Sequence, residues 1–264
     1  MSVKNILKQI YNKVNRLFLS SFDKQLLKLK SQKEGQIDVK GFPFYVHHGR
    51  AFYDTYNEIF IDKIYDFKTD SQEPIIIDCG ANMGLSLVYF KSIYPKAKIL
   101  AFEPDESVLP FLEKNIKSQQ LSGVVLYKNA VWKSDEELTF YTDSGMGGRV
   151  GVSYDNQEPV KIKALRLRTF LEQPVDMLKI DIEGAEYVVL NDCKDVLGNV
   201  KNLFVEYHSE IGDEQHLDDI LQILKQNGFR YHLKESFSRK KPFISRHILC
   251  ERFDMAINIF AYRE

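Results

Sequence analysis

PIIIDCGANMGLSLVYFKSIYPKAKILAFE, residues 74–103, is the stretch that decides the fold. An apolar run, Ile75-Ile76-Ile77, ends in Asp78, and a glycine-bearing turn follows, Cys79-Gly80-Ala81-Asn82-Met83-Gly84. The next segment places Leu85, Val88, Tyr89 and Ile93 on one side of a helix and stops at Pro95. A second apolar run, Ile99-Leu100-Ala101-Phe102, ends in Glu103. Strand, glycine turn, helix and strand with an acid at its tip make a βαβ unit.

The parts of that unit carry chemistry. Glycines at the first turn let a ligand approach the backbone and open a helix whose N-terminal amides attract negative charge. An acid at the end of the second strand, about twenty residues on, is placed to accept hydrogen bonds from two ribose hydroxyls. The pattern is D-x-G-x-N-x-G, which differs from the dinucleotide fingerprint. Asp78 would repel a pyrophosphate and suits a ligand with an ammonium or sulfonium group, which favours S-adenosylmethionine over NAD.

Working outward, 264 residues with 44% hydrophobic content suffice for one large α/β domain. The net charge of −1 gives no global electrostatic argument for nucleic acid. Cys79, Cys193 and Cys250 are spaced unlike metal ligands or a disulfide framework and read as reduced, cytosolic thiols. No apolar run approaches a membrane span, and lysines interrupt any signal-peptide pattern. The expectation is a cytoplasmic protein.

Upstream, residues 4–18 form an amphipathic helix, with Ile6, Leu7, Ile10, Tyr11, Val14, Leu17 and Phe18 on one half. Residues 1–34 hold eight Lys or Arg against two acids. Such a helix can pack on the domain, join a second subunit in a homo-oligomer, or lie peripherally on the inner face of an anionic membrane. Residues 36–48 read as a hairpin-like segment, and Ala51–Asp66 has helical spacing, with Tyr53, Tyr56 and Phe60 as core.

Downstream, residues 105–118 read as a helix and Val124–Val131 as a third strand with Asn129 near its end, beside an adenine. Glu137–Thr142 and Val160–Leu167 read as antiparallel strands flanking the glycine-rich segment 143–149, a loop over the site or a long hairpin turn. Val175–Asp181 is a core strand, and Ile182–Glu186 opens a helix. Asp181, Glu183 and Glu186 thus crowd the C-terminal end of a parallel strand, where open α/β sheets bind ligands. Leu203–His208 is a further strand, ending in Glu206 and His208, and Asp213–Asn227 a further helix. Strands near 229–234, 247–252 and 257–262 complete the chain, joined by the basic loop 238–241.

The chain resembles the FkbM-type methyltransferases, within the Rossmann-like S-adenosylmethionine enzymes. The motifs are IDCGANMG (77–84), FEPD (102–105), NAVW (129–132), LKIDIEGAE (178–186) and FVEYH (204–208), in order over about residues 75–210. The resemblance implies a mostly parallel seven-stranded sheet, flanked by helices, with one antiparallel strand near its edge. It also implies methyl transfer to a hydroxyl of a sugar, glycan or natural-product acceptor. Asp78, Gly80, Ala81, Asn82 and Gly84 would then hold the methionine part of S-adenosylmethionine, Glu103 the ribose, and Asn129 the adenine edge. Asp181 and Glu183 would lie near the transferred methyl; His208, at the end of its own strand, is a catalytic candidate from the residues themselves. The chain divides into an N-terminal helical extension (1–34), a cap segment (35–72) and the Rossmann-like domain (73–264).

In-line displacement at a sulfonium methyl needs alignment and removal of one proton. His208, Asp181 or Glu183 are the candidate bases, with no metal assigned. The alternative is a divalent ion held by Asp181, Glu183, Glu206 and His208. The competing class is a non-enzymatic adaptor, a Rossmann-like scaffold with a basic docking helix. An NAD-dependent oxidoreductase fits less well, because the turn lacks G-x-G-x-x-G.

Overall fold

The computed structural model describes residues 19–142, 148–150, 159–237, 241–244 and 253–263. The helix expected over 4–18, most of the 143–149 segment and the strand expected over 247–252 lie outside the described residues.

Helix α1 (Ser21–Leu29) starts from a capping box in which Ser20 and Asp23 exchange side-chain and backbone hydrogen bonds. A hairpin follows, β1 (Gly35–Val39) with β2 (Phe42–Val46), then α2 (Gly49–Tyr56) and a wide turn, Asn57–Ile61. Ile37, Val39, Phe44, Val46 and Phe52 bury themselves in one cluster with Ile76, Leu87 and Phe90 of the sheet unit. Fully burying such side chains contributes roughly 1.5–3 kcal/mol each. Tyr53, Tyr56 and Phe60 pack partly buried against the same cluster, Tyr56 and Phe60 stacked at 4.9 Å.

The central sheet comprises β3 (Ile75–Cys79), β4 (Lys98–Phe102), β5 (Val124–Tyr127), β10 (Val175–Ile180), β11 (Val200–Glu210), β12 (Arg230–Glu235) and β13 (Phe253–Tyr262). Its order is β12-β13-β11-β10-β3-β4-β5. All neighbours are parallel except β13, which runs antiparallel to both β11 and β12. The sheet is therefore the mostly parallel seven-stranded one expected. β3 is covered on both faces, which is why it reads as an unbroken apolar run. Exposed β12 carries Arg230, Lys234 and Glu235, charges that discourage edge pairing.

Helices α3 (Leu85–Ile93), α4 (Leu109–Ser118), α5 (Glu186–Cys193) and α6 (Leu217–Gln226) link the strands. A second, smaller sheet has the order β6-β9-β7-β8, formed by β6 (Ala130–Trp132), β7 (Glu136–Thr142), β8 (Gly148–Val150) and β9 (Val160–Arg166). β7 and β9 are antiparallel, as expected.

Four expectations are corrected. The strand over 124–131 is two strands, because the chain leaves the main sheet at Lys128 and pairs Ala130 with Ala164 in the second sheet. The helix expected from Asp105 begins at Leu109, because Asp105 Oδ1 accepts from Ser107 N and Oγ and holds a turn there. Residues 182–185 form a turn instead of a first helical turn, with Glu183 and Gly184 at φ of 56° and 102°. The later helix is also shorter than 213–227. Among the described residues no helix is long and apolar enough to cross a membrane.

Candidate functional site

Strands β3, β4, β10 and β11 end at one edge, and the strand order reverses between β3 and β10. A crevice opens at such a reversal because the flanking helices lie on opposite faces of the sheet. Here it is a cavity of about 560 Å³. Gly80, Ala81, Asn82, Glu103, Asn129, Asp181, Glu183 and His208 all line it, together with Glu58 and Tyr65 from the N-terminal segment. Asp78 and Gly84 do not.

The glycine turn is locked by its neighbours. Gly80 N and Ala81 N both donate to Phe102 O at 3.0 Å, which ties the end of β3 to the end of β4. Gly80 has φ of 86°, and a Cβ there would stand 1.9 Å from Asp181 O. Any side chain must therefore displace the strand end that carries Asp181. Gly84, at φ of 88°, opens α3, and a Cβ would press on Leu112. Asn82, also left-handed at φ of 47°, donates its N–H to Glu103 Oε2 at 2.8 Å. Asp105 N donates to Glu103 Oε1 at 2.9 Å. Burial nonetheless pushes the Glu103 carboxyl up to about 7, against these two donors.

Behind the turn, Asp78 is fully buried. Its Oδ1 lies 3.2 Å from Lys179 Nζ, and its Oδ2 accepts from Ser86 Oγ at 2.5 Å. Lys179 also donates to Gly80 O at 2.8 Å and stands 3.5 Å from Asp181 Oδ2. Burial opposes the lysine charge, but Asp78 and then Asp181 outweigh it and hold the ammonium well above the usual range. The negative charge at position 78 is therefore compensated inside the fold. It meets the lining of the cavity through Lys179.

At the other end, His208 on β11 is ringed by acids. Its Nδ1 is 3.2 Å from Glu186 Oε1, and its Nε2 is 3.9 Å from Glu183 Oε2 and 3.8 Å from Glu206 Oε1. Buried Glu186 is held in turn by the N–H groups of Ile182 and Gly184. Burial disfavours charge on His208, yet Glu183, Glu186 and Glu206 hold it well above the ordinary imidazole range. Burial pushes Glu183 up to about 8, with His208 opposing the shift and Asp181 adding to it.

Asn129 lies apart from this cluster, with Nδ2 donating to Lys163 O at 3.2 Å. Two participants escaped the sequence reading. Lys179 had a signal, since a lysine inside a buried strand needs a charged partner. Glu58, pushed up to about 7 by burial and by Glu206 and Asp181, had none: it comes to the cavity from a distant part of the chain.

A family model described as the methyltransferase FkbM domain matches residues 78–231. Methyltransferase 1 of Beauveria bassiana (strain ARSEF 2860) is 32% identical over 184 residues, which are 60% of this chain and 74% of that protein. The 31-O-demethyl-FK506 methyltransferase FkbM of Streptomyces tacrolimicus is 24% identical over 225 residues, 70% of this chain and 84% of that one. Among solved structures, methyltransferase FkbM from Methylobacillus flagellatus KT superposes with a TM-score of 0.51 at 14% identity. That match covers 80% of this chain and 50% of the other, and is a likeness of fold.

Proposed function

The chain belongs to the FkbM methyltransferase family, and on that premise we propose that it methylates a hydroxyl oxygen of a sugar, glycan or natural-product acceptor, using S-adenosylmethionine. One observation carries the reading. A single cavity joins a ribose-type acid, Glu103, to a proton-accepting cluster, Asp181, Glu183 and His208. The Streptomyces relative, named as a 31-O-demethyl-FK506 methyltransferase, supports O-methylation.

The residues fit the cofactor. Glu103 gives one lone pair on each oxygen to a backbone N–H, and the others remain for two ribose hydroxyls. Gly80 and Asn82 line the cavity where the methionine part would sit, and Asn129, on the same lining, would meet the adenine edge. When bound, the cofactor supplies a methyl group on a sulfonium, open to in-line attack. Asp181, Glu183 and His208 would orient the acceptor hydroxyl, and a carboxylate among them would receive its proton. Asp78 and Lys179 would fix the ends of β3 and β10, so that both halves of the cavity keep their spacing.

Calorimetric titration tests this reading. S-adenosylhomocysteine should bind with a dissociation constant on the order of micromolar, and NAD at least about a hundredfold more weakly. A folded protein that binds neither would sink the proposal and leave the non-enzymatic scaffold. Tight NAD binding would favour an oxidoreductase.

A further inference from the structure

We propose that Asp181, Glu183 and His208 hold a divalent metal ion of the Mn²⁺ class on the acceptor side of the cavity. The acceptor's place rests on the methyltransferase reading; the ion site rests on the side chains alone. One ligand atom from each of the three residues can be chosen so that all lie within 4.8 Å of one another. His208 Nε2 and Glu183 Oε2 stand 3.9 Å apart, and ligands of a six-coordinate ion of this size roughly 3–4.4 Å apart, so binding would draw the set inward.

The orientation of the imidazole adds to this. His208 is more than nine-tenths buried, and its Nδ1 is tied to Glu186 Oε1 at 3.2 Å. Glu186 cannot swing away, because Ile182 N and Gly184 N grip its carboxylate. With Nδ1–H donated to Glu186, Nε2 is the ring nitrogen whose proton an ion would displace to take its lone pair. That nitrogen points at Glu183 and Glu206, at 3.9 and 3.8 Å, both beyond hydrogen-bond reach. A carboxylate on the far ring nitrogen is how metal-bound histidines are usually oriented and made more basic.

Charge balance points the same way. Lys179 compensates Asp78 and reaches Asp181, but no lysine or arginine pairs with Glu183 or Glu206 among the described residues. Two carboxylates and one imidazole form a mixed oxygen–nitrogen set, which suits Mn²⁺ better than the all-oxygen sites of Ca²⁺. Glu206, steadied by Ser236 Oγ at 2.6 Å, stands just outside the set. An ion there would neutralise the carboxylates and polarise an acceptor oxygen.

The test titrates Mn²⁺ into the chelator-treated full chain, reading the free ion by electron paramagnetic resonance. S-adenosylhomocysteine binding is measured in parallel. One saturable site should appear, with a dissociation constant on the order of 10 µM. Glu183→Gln and His208→Gln should each weaken it at least tenfold, and Glu186→Gln, which only frees the ring, about ten- to a hundredfold. Two results would overturn the proposal: no saturable Mn²⁺ site in the wild type, or a site unchanged in both ligand variants. Retained S-adenosylhomocysteine binding in either case would leave the methyltransferase reading standing. Loss of that binding in the folded wild type would count against the methyltransferase reading alone.

Discussion

Lys179→Met should lower the stability of the fold by about 3–5 kcal/mol, because it strands a buried carboxylate. Asp78 is fully buried, and Lys179 is the cation against it at 3.2 Å. The same ammonium donates to Gly80 O and faces Asp181, so one substitution loosens three neighbours. For a chain of this size each kcal/mol corresponds to roughly 2–4 °C, so the thermal midpoint should fall by roughly 6–20 °C. Adding Asp78→Asn should recover much of the loss, since an amide is far cheaper to bury than an unpaired charge. A midpoint within about 2 °C of wild type for the single variant would mean that Asp78 takes up a proton or finds another partner.

Glu103→Ala should weaken S-adenosylhomocysteine binding by about a hundredfold or more. Two hydrogen bonds to a charged group contribute about 1.5–3 kcal/mol each, and the variant loses both. The pH dependence follows from the same residue. Burial lifts the Glu103 carboxyl to about 7, and ribose hydroxyls favour its ionised form. Below that pH the free protein holds a proton that binding must displace, so the dissociation constant should rise roughly five- to tenfold per unit from 7 down to 5.5. Above 8 it should be flat. The raised value also means that this group favours the ligand-free fold below its unfolded pKa, a contribution lost as pH rises toward 7. Calorimetry across pH checks the binding curve, and Glu103→Gln should flatten it. A wild-type constant that does not move between pH 8 and 5.5 would remove Glu103 from the ribose site.

The βαβ unit was legible because its signals are local. An apolar run of strand length, a turn of glycines and an acid at a fixed distance all lie within thirty residues. The four strands that reach the cavity could be read the same way, as could the acids at their tips. What escaped was long-range pairing. The motif suggested that Asp78 faces a cationic ligand, whereas the fold meets it with Lys179, a hundred residues on but next to it across the sheet. Nothing local distinguishes Glu186, which steers His208, from an ordinary acid in the first turn of a helix. The break at Lys128 depended on β9, thirty residues later, offering Ala130 a second sheet. The N-terminal contribution of Glu58 depended on how the hairpin and α2 dock.

The position of β13 bears on the order in which the chain matures. β11 carries Glu206 and His208, and its outer neighbour is formed by the final strand, Phe253–Tyr262. During synthesis from the N-terminus the glycine turn, Glu103 and Lys179 precede β13 in the chain, and the contacts among them can form before it emerges. Until β13 has emerged, β11 remains an open, apolar sheet edge and β12 lacks the strand it pairs with. The two halves of the cavity therefore draw on different stretches of the chain: the part around Glu103 and Lys179 needs no strand beyond β11, whereas the half that bears the histidine gains its outer neighbour only with β13.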